Sequence, residues 1–77
     1  MTKKIKQKTY EFSADKFKAE RKKQGWTLGK FAEKLLEFSP KASKALVYNW
    51  DHGKSPSLEY MMAICRILDK TPDHFAK

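Results

Sequence analysis

The chain has 77 residues, with 17 Lys+Arg against 9 Asp+Glu, a formal net charge of +8 and 40% hydrophobic residues. That is one domain at most, with one small core worth roughly 3–5 kcal/mol net. This leaves little margin for a deep catalytic pocket, so a binding module is expected and a self-contained enzyme is not. No apolar run reaches the ~18 residues of a membrane span. No apolar stretch follows the basic N-terminus, so no secretory signal is expected. Cys65 is the only cysteine, which excludes an internal disulfide and a Cys-rich zinc site.

Residues 1–12 read as a flexible basic arm, since four of the first eight residues are lysines (Lys3, Lys4, Lys6 and Lys8). Residues 10–12 are expected to form at most a short extended piece. The domain proper is expected over 13–77. Ser13 can cap a helix over 14–24, because its hydroxyl can accept from a free backbone amide. Phe12 and Phe17 have the spacing of a hydrophobic staple. Asp15 in the first turn and Arg21, Lys22 and Lys23 in the last suit the helix dipole, and Gly25 follows at a C′ position.

The same pattern repeats at once. Thr27 can cap a helix over 28–37, with Trp26 and Phe31 as its staple pair, and Leu28, Phe31, Ala32 and Leu35 follow helical spacing. Phe38, Ser39 and Pro40 stop it, because the residue before a proline is pushed out of the α region. Ser43 caps a short helix over 44–51 that ends before Gly53. Ser57 caps a helix over 58–68 with apolar positions Leu58, Met61, Met62, Ile64, Cys65 and Leu68. Thr71-Pro72 starts a last turn through Phe75.

The helix over 44–51 has two unlike sides. At about 100° per residue, Val47 and Trp50 share one side with Ser43, and Leu46 flanks them. Ala45 and Asn49 point nearly opposite, with Lys44 and Tyr48 beside them. The apolar side should pack inward, leaving the other free to enter a major groove, which admits one helix.

Segment 21–75 resembles the helix-turn-helix domain of the phage Cro and repressor type, the XRE-like family. The matching pieces are 21–27 (RKKQGWT), 31–35 (FAEKL), 43–50 (SKALVYNW), 51–54 (DHGK), 56–58 (PSL) and the stretch from Leu68 to Phe75. The resemblance implies a compact all-α bundle of four to five short helices, lambda-repressor-like, containing a helix-turn-helix. It implies a sequence-specific transcriptional regulator, cytoplasmic in a bacterial cell and associated with the nucleoid, whose partner is a double-stranded DNA operator.

Bases would then be read by Lys44, Ala45, Tyr48 and Asn49. Asn can pair bidentately with adenine, Lys can reach guanine O6/N7, and Ala can touch a thymine methyl. Phosphates would be met by Lys30, Ser43, His52 and Lys54, and the arm lysines would lie along the duplex. Ala32, lacking bulk, would let a helix cross close above it. Arg21 and Asp51 match a pair that often forms an internal salt bridge in the family, and it would fix geometry more than add stability.

Two departures stand out. The turn between the second and third helices is stretched to seven residues, 36–42 (LEFSPKA). Leu28 also stands where the family often has a phosphate-binding glutamine. Relatives bind two-fold operators as dimers. Self-association here would have to use the fourth helix, the last turn or the long loop, or occur only on DNA. No cofactor, metal or small-molecule ligand is expected, since His52 and His74 lie 22 residues apart with no ligand pattern between them. The alternative function is a protein-binding regulator or antirepressor that keeps the fold and uses Phe38, Pro40, Leu46 and Tyr48 as an apolar patch. Charge-driven, non-specific nucleic-acid binding is a third reading.

Overall fold

The structure, a computed structural model, describes residues 11–77. Within them the chain is all-α. The helices are α1 (Ala14–Lys23), α2 (Leu28–Leu35), α3 (Lys44–Asp51) and α4 (Leu58–Leu68), followed by a 3-10 turn (Pro72–Phe75). The arm lysines Lys3, Lys4, Lys6 and Lys8 lie outside the described residues.

Each α-helix starts where a hydroxyl can replace a missing backbone partner. Ser13, Thr27, Ser43 and Ser57 accept from the backbone N–H of Lys16, Lys30, Leu46 and Tyr60 respectively. Both staples form, with ring centroids 5.8 Å apart for Phe12–Phe17 and 5.7 Å for Trp26–Phe31. Gly25 and Gly53 close α1 and α3 at positive φ, +82° and +107°, a conformation that Cβ sterics penalise in other residues. Asp69 closes α4 in the same left-handed region, which a short polar side chain tolerates.

Phe17 sits at the centre of the core. Its ring meets Phe12, Phe31, Trp50 and Phe75 at centroid distances of 5.5–6.3 Å, mostly edge to face, the arrangement that aromatic quadrupoles favour. Leu35, Val47, Ile64 and Leu68 complete the fully buried set, and Ala32 is buried where the helices meet. The chain ends are clasped together. Phe12 bridges Ala76 in antiparallel fashion, Ser13 N–H donates to Phe75 O at 2.7 Å, and Lys77 N–H donates to Glu11 O at 2.9 Å.

Three sequence expectations need adjustment. Phe12, expected in the arm, is buried in the core, so the domain begins before Ser13. The second helix ends at Leu35, not at residue 37. Beyond it the chain turns tightly, with Phe38 and Ser39 N–H both donating to Leu35 O at 2.8 and 2.9 Å. Pro40 would bar residue 39 from the helix in any case. Finally, Leu58 and Met62 are exposed. They lie about 90° and 130° round α4 from the Met61–Ile64–Leu68 stripe that faces the core.

A polar cluster around buried Glu20, closed on the outside by exposed Gln24 and His74, ties the helices together. Gln24 Nε2 donates to Glu20 Oε2 at 2.7 Å and to the Leu68 carbonyl at 2.8 Å, joining α1 to the end of α4. His74 Nε2 lies 3.2 Å from Glu20 Oε1. The hydrogen bond from Gln24 holds the Glu20 carboxyl below its ordinary value of 4.5, against the opposing effect of burial, with help from Lys70, Lys23 and His74. A carboxyl with a lowered folded pKa contributes its stability in full above the ordinary value. That contribution disappears as pH falls through the folded value. Wild-type protein should therefore lose stability in denaturant titrations run at successively lower pH below about 4.5. Glu20→Gln should be less stable than wild type at pH 7 and should flatten that acid-side loss. Parallel curves for the two proteins would contradict this role.

Candidate nucleic-acid interface

α3 is held from behind and open in front. Val47 and Trp50 are fully buried, and Trp50 packs on Phe17 and, at 5.3 Å between centroids, on Tyr60 of α4. Lys44, Ala45, Tyr48 and Asn49 are all exposed. The four residues expected to read bases thus share one uncovered helix face, as their angles require. The long 36–42 connection does not bury that face. It turns back on itself, and Ser39 Oγ lies 3.1 Å from Tyr60 Oη, which moors it to α4.

The flanking residues fall around the same helix. Ser43 is exposed at the N-terminus of α3; its oxygen accepts from Leu46 N–H at 3.3 Å, leaving its own proton free to donate. The aliphatic stem of Lys44 lies against the first turn of α2, its Cδ 3.9 Å from where a Cβ on Gly29 would stand. Lys30, next to Gly29, is exposed. His52 and Lys54 are exposed at the other end of α3, where Lys54 N–H donates to Asn49 O at 3.0 Å.

The electrostatics of this stretch follow from one buried pair. Asp51 is the single acidic residue between positions 38 and 58. Its carboxylate is 2.5 Å from Arg21 Nη2, with both side chains about 95% covered (5% and 4% exposed). Arg21 Nη1 also donates to the Trp26 carbonyl at 2.7 Å. The expected Arg21–Asp51 pair therefore forms. It ties α1 to the end of α3 and withdraws from solvent the one carboxylate of the 38–58 segment, which carries Lys41, Lys44 and Lys54.

One feature of the site is absent from the sequence reading. The rings of Tyr48 and His52 stack, with centroids 4.1 Å apart and planes 29° apart, and His52 Nδ1 donates to the Tyr48 carbonyl at 2.8 Å. This bond places the ring hydrogen on Nδ1 and holds both rings. Their i,i+4 spacing, which brings side chains together on a helix, was the available signal.

Elsewhere, Cys65 is half-buried beside Met61, and burial pushes its thiol above the ordinary range, the environment of an unreactive cysteine. Among the described residues no group of three or more His, Cys, Asp or Glu could hold a metal ion, and no helix is long and apolar enough to cross a membrane.

Fold and surface together define a small all-α domain that presents a polar helix face. No family model matches the chain, and comparison with curated proteins and with solved structures finds no match.

Proposed function

We propose that this chain is a sequence-specific DNA-binding regulator in which α2 and α3 act as a helix-turn-helix with an extended turn, and α3 enters the major groove. The observation that carries the reading is the exposed face of Lys44, Ala45, Tyr48 and Asn49, backed by buried Val47 and Trp50. The hidden charge of Asp51 supports it, because a carboxylate on that face would repel phosphate. In this reading Asn49 and Lys44 make the hydrogen bonds to base edges and Ala45 offers a methyl to thymine. Tyr48, held by His52, supplies rigid contact area. Lys30, Ser43, His52 and Lys54 fix register through phosphates, which carry no sequence information themselves. The arm lysines add non-specific attraction.

Selection from a random duplex pool tests the proposal, and a reproducible motif is the expected outcome. If about six phosphates are engaged, log K should fall against log salt with a slope of roughly −5. Binding with that slope but without a motif would reduce the function to charge alone.

A second reading has its own observation. Leu36, Phe38 and Tyr48 are each about half exposed (51%, 45% and 50%), and Pro40 is exposed with them, while Leu46 is half-buried. A protein-binding regulator would use this surface. A stoichiometric protein partner captured from host lysate, unaffected by nuclease, would favour it over DNA binding.

A further inference from the structure

His52 is held in one hydrogen-bonding pattern by its own helix. Its Nδ1 lies 2.8 Å from the Tyr48 carbonyl, and a carbonyl oxygen can only accept. The neutral ring therefore carries its hydrogen on Nδ1, and Nε2 is left with a lone pair. Nε2 has no partner among the described residues, and the residue is exposed. A neutral ring could donate from Nε2 only by surrendering the Nδ1 hydrogen. That would set two acceptors, Nδ1 and the Tyr48 oxygen, 2.8 Å apart.

We infer that His52 is a proton-linked phosphate contact: it meets the DNA backbone as the imidazolium alone, so that binding of the duplex takes up a proton from solvent at Nε2. The inference rests on the proposal that α3 enters the major groove, and it adds the protonation state that one contact of that surface requires. A phosphate oxygen is an anionic acceptor. Against it the lone pair of neutral His52 is repelled. The imidazolium instead donates a charge-assisted hydrogen bond from Nε2, while Nδ1 keeps its bond to the helix. The stack with Tyr48, 4.1 Å between centroids, survives the change, since a cation is attracted to an aromatic face.

Nothing else in the fold supplies that proton's partner. Asp51, the neighbour of His52, is engaged by Arg21 of α1. The last turn of α1 otherwise carries Lys22 and Lys23, and the loop after α3 carries Lys54. α2, which packs on α3, carries Lys30, Glu33 and Lys34, and α4, which meets α3 through Tyr60 and Trp50, carries Glu59. None of these side chains forms an ion pair or hydrogen bond with His52 among the described residues. The charge that His52 gains is therefore neutralised by the bound nucleic acid and not by the protein.

Binding of the full chain to the selected duplex and to a scrambled one, measured over about pH 5 to 8, where histidine ordinarily changes charge, tests the inference. That range lies above the one in which Glu20 loses its charge. Wild-type affinity should fall as pH rises, by up to about tenfold per pH unit, the limit for one linked proton. The fall should be the same on both duplexes, because a phosphate carries no sequence information. The salt slope should be steeper at the acid end by about 0.9, the share of one phosphate. Calorimetry in buffers of different ionisation enthalpy should register the uptake directly. His52→Gln should abolish the pH dependence, the change in salt slope and the proton uptake, whereas His74→Gln should keep all three. Circular dichroism checks that both variants fold. Wild-type affinity that is flat with pH, or uptake that persists in His52→Gln, would overturn the inference. Either result, with a motif selected and weakened by Asn49→Ala, would leave base reading standing. Uptake lost in His52→Gln without any selected motif would support the phosphate contact and remove base reading. A chain that binds neither duplex would end both.

Discussion

Asn49→Ala is expected to weaken binding to the selected DNA site by about 1–3 kcal/mol, roughly 5- to 150-fold, with non-specific binding nearly unchanged. The reason is chemical. An asparagine amide offers a donor and an acceptor side by side, the pattern of adenine N6 and N7 in the major groove, and alanine offers neither. The position is permissive for the test, because Asn49 is exposed and its side chain makes no hydrogen bond among the described residues. Its carbonyl, which accepts from Lys54 N–H, is retained in alanine. The variant should therefore fold as the wild type does. Lys54→Ala is the contrasting control, since losing a phosphate contact should lower affinity uniformly across sequences and reduce the salt slope by about one. Quantitative binding to the selected site and to a scrambled duplex, at two salt concentrations, separates the two effects. Equal loss on both duplexes for Asn49→Ala would remove Asn49 from base reading. No loss on either would take α3 out of the interface.

How much was legible in the sequence depended on how local the cause was. The four caps and both aromatic staples are interactions within about five residues, and all appear where Ser13, Thr27, Ser43, Ser57 and the paired aromatics placed them. The exposed face of α3 followed from helical angles plus two large apolar residues, because Val47 and Trp50 had to be inside. Long-range polar contacts left no such trace. Gln24 reaches the Leu68 carbonyl 44 residues away, and nothing near Gln24 announces it. α4 misled for another reason. Leu58, Met61, Met62, Ile64, Cys65 and Leu68 spread round a wide arc, and hydrophobicity alone cannot say which part of that arc meets the core. The 36–42 connection was recognisable as an insertion. Its mooring through Ser39 and Tyr60 was not, because a hydroxyl pair 21 residues apart has no sequence signature. The Arg21–Asp51 pair was reached through the family resemblance and not through spacing, since the two residues lie 30 positions apart.

That pair sets the second large effect. Asp51→Ala is expected to destabilise the domain by about 3–5 kcal/mol, the usual cost of leaving a buried charge without its partner, and this approaches the whole net stability of so small a core. Arg21→Ala should cost a similar amount, because it strands Asp51 and also removes the donor to the Trp26 carbonyl. The dependence is sharpened by position. An anion in the last turn of α3 faces the negative end of the helix dipole, so Asp51 is unfavourable there unless Arg21 neutralises it. The pair itself is not an efficient source of stability. Arg21 Nε and Asp51 Oδ1 are both buried without a hydrogen-bond partner, and each such atom carries a desolvation cost. The double variant Arg21→Met with Asp51→Leu should therefore recover most of what either alanine variant loses, because apolar replacements of similar volume often match a buried ion pair. Urea unfolding of the three variants and wild type measures this directly. A loss below about 1 kcal/mol for Asp51→Ala, the scale of a solvent-screened surface pair, would show that the contact does not hold α3 to α1. If the double variant is stable yet binds the selected DNA more weakly than wild type, the ion pair serves to fix the attitude of α3. Full stability with full affinity would leave it no role beyond neutralising its own charges.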